Sequence, residues 1–358
     1  MMSEVRAKTN SPLRIALISY YLPSESKIGV GYWVHSYANA LVERGHQVTV
    51  LSPCARPDDA LYDVERVALS GANRTFKFAL AMRHVDWSRF DVLHANGDDY
   101  WLWKRRVPVH IRTMHGSCFS EALHIKGIKE RARMLALGVG ELLATLVADQ
   151  TACVSPETRR WMPWVRTVIP VGVDLRRFTP ASEKEPAPTI LFVGTYHQRK
   201  RGKLLMEVFQ DEVRPAVPDA RLWMVCSDAP SAPGVEVLGR LSNEELVRRY
   251  QRAWIFCLPS SYEGLGVPYI EAMACGLPVV ATPNPGSRFV LGGGAHGALA
   301  RSSDLGQRVA ELLTDARLRA DMSHRSLMRA RDLSLDAVLR AYEVLYADGD
   351  SGRHTWTW

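Results

Sequence analysis

Two glutamates eight positions apart, Glu263 and Glu271, bracket the part of the chain best suited to chemistry, the stretch SSYEGLGVPYIEAMACGLPVVAT from Ser260 to Thr282. Glu263 sits in a loop after the apolar run AWIFCLP. Glu271 sits about one turn into a helix that Pro268 starts and Gly276 ends. Helical side chains lean back toward the helix start, so both carboxylates are expected to flank that N-terminus. Between them Gly264, Leu265, Gly266 and Val267 present backbone amides, unobstructed by Cβ at the glycines, and free amides at a helix start attract phosphate. The set suits a diphosphate with a sugar or ribose hydroxyl on each carboxylate. Taken singly, Glu263 is equally a loop charge and Glu271 an acid beside the helix dipole.

The elements that must position these groups follow a strand, glycine loop, helix, strand order, with Ala253–Pro259 and Leu277–Thr282 as buried strands. A parallel α/β sheet uses this order to place a ligand at the carboxyl ends of its strands. The same rhythm opens the chain. Leu13–Ser19 is an apolar strand, Val34, Tyr37, Ala38, Leu41 and Val42 recur at helical spacing, Gly45 ends that helix, and His46–Leu51 returns as a strand. Gly29 and Gly31, where the loop enters the helix, let the backbone approach a phosphate or the reacting sugar. A nicotinamide fingerprint is disfavoured, because Val34 stands at the third glycine and no acid closes the second strand. Strands at Asp91–Ala95 and Val107–Met114 end near His94 and His115. His115-Gly116 falls where α/β ligands bind, whereas His94 is assigned to packing.

In the second half the strand Thr189–Gly194 runs into TYHQRKRGK, where Arg199, Lys200, Arg201 and Lys203 lie within five residues. A solvated turn is the ordinary reading of a charge run; the position beyond a strand's carboxyl end favours phosphate contact. Three helices are expected near Asp304–Thr314, Ala316–Asp332 and Leu335–Ala347. Pro180–Pro188, proline-rich and charged, is expected to link two halves.

A chain of 358 residues with 47% hydrophobic and 23% charged content suits two globular domains. The net charge of +7 suits an anionic ligand or an acidic membrane face, and no nucleic-acid motif accompanies it. No apolar signal segment is visible, and Met134–Ala148, interrupted by Glu141, falls short of the roughly 20 residues of a membrane span. Six cysteines without CxxC spacing imply a reducing cytoplasm and no zinc. Trp101, Trp103, Lys104, Arg105 and Arg106 form a basic, aromatic patch, read as a solvated turn with an acceptor or membrane face as the alternative. Ile125–Ala148 is expected to form one or two amphipathic helices whose basic start permits interfacial binding.

The pattern E-G-x-G-x-P-x-x-E-A-M-A-x-G-x-P-V-V resembles the E-x7-E signature of retaining glycosyltransferases of family 4, the group 1 glycosyl transferases with the GT-B fold. The glycine loop, ERGHxVxVL, TVIPVGVDLRRF and the lysine-glycine region after Gly194 are similar to the same family. The resemblance implies an α/β fold of two Rossmann-like domains facing across a cleft. Residues 1–183 would form an acceptor-side domain and 184–334 a nucleotide-sugar domain, with 335–358 a helix and tail returning to the first. It implies that Glu271 binds the nucleotide ribose, that Glu263 contacts the donor sugar, and that His115 faces that sugar near the reacting centre. Of Arg199, Lys200 and Arg201, Lys200 matches the family lysine by count. Val171 replaces a family asparagine, removing its polar side chain, and Thr195 stands where the family has an arginine.

The implied activity is transfer of a hexose, with retention, from a UDP-sugar or next a GDP-sugar to a hydroxyl of a glycan, glycolipid or small molecule. The departing phosphate helps deprotonate the acceptor, and the protein supplies positioning and charge stabilisation without metal or cofactor. Expected partners are the donor and acceptor, with peripheral contact at the inner membrane face and no nucleic acid. The rival readings are a non-catalytic nucleotide-sugar-binding subunit, which Thr195 and Val171 favour, and a nucleotide-sugar epimerase.

Overall fold

The computed structural model describes residues 11–25, 28–103, 109–123, 125, 127–347 and 358; Lys104, Arg105 and Arg106 of the basic patch lie outside them. The chain divides into two compact units, residues 1–170 with 338–358, and residues 171–337.

Short apolar runs become strands of the first unit because a parallel sheet buries both faces. The strands are β1 (Arg14–Ile18), β2 (Gln47–Ser52), β3 (Asp63–Arg66), β4 (Val92–Ala95), β5 (Val109–Met114), β6 (Gln150–Cys153) and β7 (Thr167–Val168). They lie in the order β3-β2-β1-β4-β5-β6-β7, all pairs parallel. Strand order reverses between β1 and β4, which leaves a crevice at their carboxyl ends. The helix Gly29–Glu43 follows β1 and buries Val34, Tyr37, Ala38 and Leu41, four of the positions expected to face inward. Ile125–Ala148 resolves into one helix, Ile128–Val147.

The last helix, Leu335–Ala347, belongs to the first unit from Val338 onward. Its tyrosines carry the docking. The Tyr346 hydroxyl lies 2.7 Å from that of Tyr37 and 2.6 Å from His94 Nδ1. Tyr342 and His94 Nε2 both meet Thr113 Oγ1, at 2.6 and 2.7 Å. Every polar atom in this buried chain is partnered, as burial requires. Burial, with His115 and His110 nearby, pushes the His94 imidazole down to about 3, so it is a neutral structural group.

The second unit holds β8 (Thr189–Val193), β9 (Arg221–Val225), β10 (Val235–Val237), β11 (Ile255–Leu258), β12 (Val279–Ala281) and β13 (Ala298–Leu299). Their order is β10-β9-β8-β11-β12-β13, again parallel, and it reverses between β8 and β11. The Pro180–Pro188 segment lies within this unit. Trp254 Nε1 donates to the Glu185 carbonyl at 2.7 Å, Arg252 pairs with the Glu185 carboxylate at 2.7 Å, and Lys184 donates to the Gln251 carbonyl at 2.7 Å. The units therefore divide before this proline-rich stretch, whose charged residues are ordered partners of the strand β11 region.

Candidate active site

In the second unit, β11 is wholly buried and delivers the chain into the loop 259–266. The loop's base is fixed by the Ser260 carbonyl, which accepts from Thr282 Oγ1 at 2.7 Å and from Asn284 Nδ2 at 3.0 Å. Gly266 begins the helix Val267–Ala274 with φ of 89°. A Cβ there would lie 2.4 Å from the Tyr269 ring, so backbone conformation and space both demand glycine. Gly286 supports the loop from behind. Its amide donates to the Glu263 carbonyl at 2.8 Å, and a Cβ would meet the Leu265 and Glu263 carbonyls at 2.6 and 2.7 Å. No side chain caps the helix, and Gly264 has open space where its Cβ would be.

The cationic turn after β8 is tied to this loop. Ser261 N donates to the Arg199 carbonyl at 2.8 Å, and Arg199 Nη1 donates to the Tyr262 carbonyl at 2.9 Å. Arg199 Nη1 lies 2.9 Å from Glu263 Oε2, and Lys200 Nζ lies 2.7 Å from Glu263 Oε1. Burial pushes the Glu263 carboxyl up, but Lys200 and Arg199 beside it outweigh this and hold it below its ordinary value. Lys200 is lowered by its own burial, which Glu263 opposes. Arg201 leaves the cluster, with φ of 56° and its guanidinium on Ser302 Oγ at 3.0 Å. The structure thus joins Arg199, Lys200 and Glu263 into a group of net charge +1 and sets Arg201 apart from it.

Glu271 takes one hydrogen bond, from the Tyr250 hydroxyl to Oε2 at 2.9 Å, and remains partly exposed. Its carboxyl is raised by burial, against the pull of Tyr250, Arg177 and Lys200. Lys200 therefore acts on both glutamates.

In the first unit, His115 follows β5 directly. Its Nε2 lies 2.8 Å from Asn96 Oδ1, an oxygen that accepts, so Nε2 carries the proton and Nδ1 the lone pair. Burial and then Arg112 push the ring down to about 3. His115 is a neutral imidazole at physiological pH. Gly31 packs its Cα side against the Tyr21 backbone, where a Cβ would lie 3.1 Å from the carbonyl, whereas Gly29 faces open space. Asp99 is buried between Arg112 Nη1 and His110 Nε2, the latter at 3.0 Å. Asp98 has φ of 61°, and burial raises it to about 7 against the pull of Arg112, with Glu141 adding to the rise. The Asp98-Asp99 pair is thus split between an ion-paired acid and a proton-holding one. Among the described residues no group of three or more His, Cys, Asp or Glu is placed to hold a metal.

Sequence reasoning missed Tyr250, Arg177, Asn96, Gly286 and the Asp99–Arg112 pair. Tyr250 left a trace: with Val247 it is one of two buried side chains on the largely charged helix Asn243–Arg252. Asn96 and Arg112 left none, because their roles follow from the register that sets Ala95 opposite Arg112.

Two family models match the chain, Glycosyltransferase Family 4 over residues 28–177 and Glycosyl transferases group 1 over residues 187–315. The first span holds Gly29, Gly31 and His115, the second the cationic turn and both glutamates. The chain belongs to the family 4, group 1 glycosyltransferases. It is 28% identical to a D-inositol 3-phosphate glycosyltransferase of Geodermatophilus obscurus, over 81% of this chain and 72% of that protein. It is 29% identical to a GDP-mannose-dependent monoacylated alpha-(1-6)-phosphatidylinositol monomannoside mannosyltransferase of Corynebacterium glutamicum, over 43% of this chain and 48% of that one. Its fold is that of the sucrose-phosphate synthase of Thermosynechococcus elongatus, with a TM-score of 0.74 at 19% identity, covering 93% of this chain and 98% of the other. The GT-B fold and glycosyltransferase activity follow; the two parallel α/β domains and the returning last helix are those the sequence led us to expect.

Proposed function

We propose that the chain transfers a hexose with retention of configuration from a nucleoside-diphosphate sugar to a hydroxyl acceptor, without a metal. The observation that carries this is the Arg199–Lys200–Glu263 cluster, hydrogen-bonded through Ser261 and Tyr262 to the glycine loop that leads into an uncapped helix start, with Glu271 about one turn into that helix. Here Gly264, Leu265, Gly266 and Val267 offer amides to the diphosphate, Arg199 and Lys200 neutralise it as it departs, and Glu271 accepts from the ribose. In the second unit Glu263 contacts the donor sugar; in the first, His115 is neutral, and its Nδ1 lone pair, free of Asn96, is an acceptor for a sugar hydroxyl. Gly29 and Gly31 let the backbone approach it, and Arg201 fixes the turn through Ser302.

We favour a UDP-hexose as donor, with GDP-mannose beside it because a relative is named as dependent on it. One relative is named for D-inositol 3-phosphate and the other for a monoacylated phosphatidylinositol monomannoside, which supports a hydroxyl on a phosphorylated cyclitol or on a glycolipid built on one. A non-catalytic nucleotide-sugar-binding subunit remains the second reading. It is favoured by the buried Val171 and by Thr195, whose hydroxyl is spent on the His197 carbonyl at 2.9 Å. The test is incubation with UDP-glucose or GDP-mannose and inositol phosphate in EDTA, followed by proton NMR of the product. Retention of the donor's α-linkage is expected. A β-linked product, or turnover that needs added metal, contradicts the proposal.

The reading extends to a cytoplasmic protein touching a membrane peripherally. The six cysteines are free, as a reducing compartment keeps them. On the helix Ile128–Val147 the exposed Ile128, Leu135, Val139 and Leu146 recur at steps that share one face, beside exposed Lys129 and Arg131. No helix among the described residues is long and apolar enough to cross a membrane. Co-sedimentation with anionic vesicles, lost in Leu135→Gln/Val139→Gln, is expected; equal binding by the variant contradicts this part.

A further inference from the structure

Glu271 has two carboxylate oxygens, and the structure divides them. Oε2 is engaged by the Tyr250 hydroxyl at 2.9 Å, and the residue is still partly open to solvent. Tyr250 is itself held on every side. It is fully buried, its ring meets Phe178 edge-on at 5.9 Å and lies 5.6 Å from Phe256, and its helix is closed by the Ser242–Glu245 capping box. A phenol held this way fixes the carboxylate's rotamer and leaves Oε1 as the acceptor for a ligand.

We infer that Tyr250 is a positioning residue for donor recognition, which holds the Glu271 carboxylate turned so that Oε1 accepts the ribose hydroxyls of the nucleotide. The inference rests on the ribose role given to Glu271 above and adds the group that makes that role selective. A carboxylate pinned at one oxygen loses little freedom on binding a diol, whereas a free one must be ordered by the ligand. The charged and titratable groups facing Glu271 are few. Tyr250, Arg177 and Lys200 favour its ionised form, and Cys275, just past the end of the same helix, stays a neutral thiol, pushed up to about 12. The Tyr250 hydrogen bond is the strongest of the effects opposing burial, so its loss moves the Glu271 carboxyl further up.

The experiment uses the full chain and calorimetric titration with UDP, 2′-deoxy-UDP, GDP, 2′-deoxy-GDP and inorganic pyrophosphate, on wild type, Tyr250→Phe and Glu271→Gln, across pH 5 to 8. Wild type is expected to prefer the ribonucleotide about tenfold or more, since a site built to pair a hydroxyl rejects the analogue lacking it. Glu271→Gln abolishes that preference. Tyr250→Phe reduces it several-fold, shifts the acid limb of ribonucleotide binding to higher pH, and leaves pyrophosphate affinity unchanged, which also reports an intact site. If Tyr250→Phe keeps the full preference and the wild-type acid limb, Tyr250 is packing alone and the inference is overturned. If instead Glu271→Gln keeps the preference, the ribose role of Glu271 fails and the inference fails with it. Should the phenylalanine variant melt too low, 3-fluorotyrosine at position 250, a stronger donor, is expected to move the acid limb to lower pH; no movement overturns the inference equally.

Discussion

Replacing Glu263 by glutamine separates two things that the cationic turn does. The carboxylate is 4% exposed and lies 2.7 Å from Lys200 and 2.9 Å from Arg199. The isosteric amide keeps the packing but leaves Lys200, only 16% exposed at its side chain, without its counter-charge. Removing one partner of a largely buried pair costs about 1–3 kcal/mol. For a unit of this size that lowers Tm by about 5 °C. A phosphate seated on the far side of the two cations would lie about 5–6 Å from the carboxylate. At an effective dielectric of about 60 their repulsion is about 1 kcal/mol, or roughly fivefold in affinity. The variant should therefore bind pyrophosphate and the donor's nucleoside diphosphate about fivefold tighter, with the gain shrinking as salt rises, while turnover falls at least tenfold through loss of the sugar contact. Titration calorimetry and initial rates read both quantities. Pyrophosphate affinity that falls by the same factor as turnover would refute the charge-balance reasoning and make Glu263 the organiser of its cations.

Two further perturbations follow from local geometry. Gly266→Ala sets a Cβ 2.4 Å from the Tyr269 ring at a φ of 89°; nucleotide binding should be lost and stability fall by about 1–3 kcal/mol, whereas Gly264→Ala, with open space, should fold normally by circular dichroism. For Asp98, a carboxyl near 7 in the folded chain against an ordinary 3.8 means the folded state holds the proton between those values, so stability is full below pH 4 and is lost as pH rises through 7. Full burial would make this about 4 kcal/mol, which water at a partly exposed side chain reduces to about 1–2. Asp98→Asn, which also tolerates the left-handed backbone, should raise Tm at pH 7.5 and leave it unchanged at pH 4.5; an equal rise at both would point to backbone strain instead.

The features legible in the sequence are those carried by short-range pattern. Apolar runs such as RIALI and IFCL announce buried parallel strands, and the last three helices fall at Leu305–Thr314, Ala316–Asp332 and Leu335–Ala347 because their apolar spacing is strong. The glycine loop and both glutamates were legible because one strand-loop-helix unit contains them. What was not legible depends on chain segments far apart. Tyr250 reaches Glu271 across 21 positions, Asn96 reaches His115 across 19, and Asp99 finds Arg112 through the pairing of β4 with β5. Pro180–Pro188 has the composition of a linker, yet Lys184 and Glu185 are fastened to Gln251, Arg252 and Trp254, partners that composition does not disclose.

We propose above all that the second unit binds a nucleoside-diphosphate sugar through the glycine loop and Glu271, without a metal. This binding is tested most directly by calorimetric titration of UDP, GDP, UDP-glucose and GDP-mannose into wild type and Glu271→Ala, all in EDTA. One nucleotide series should bind the wild type, and the variant should lose at least tenfold in affinity for it. Equal affinity in the two proteins, or binding that appears only when magnesium or manganese is added, would contradict the claim.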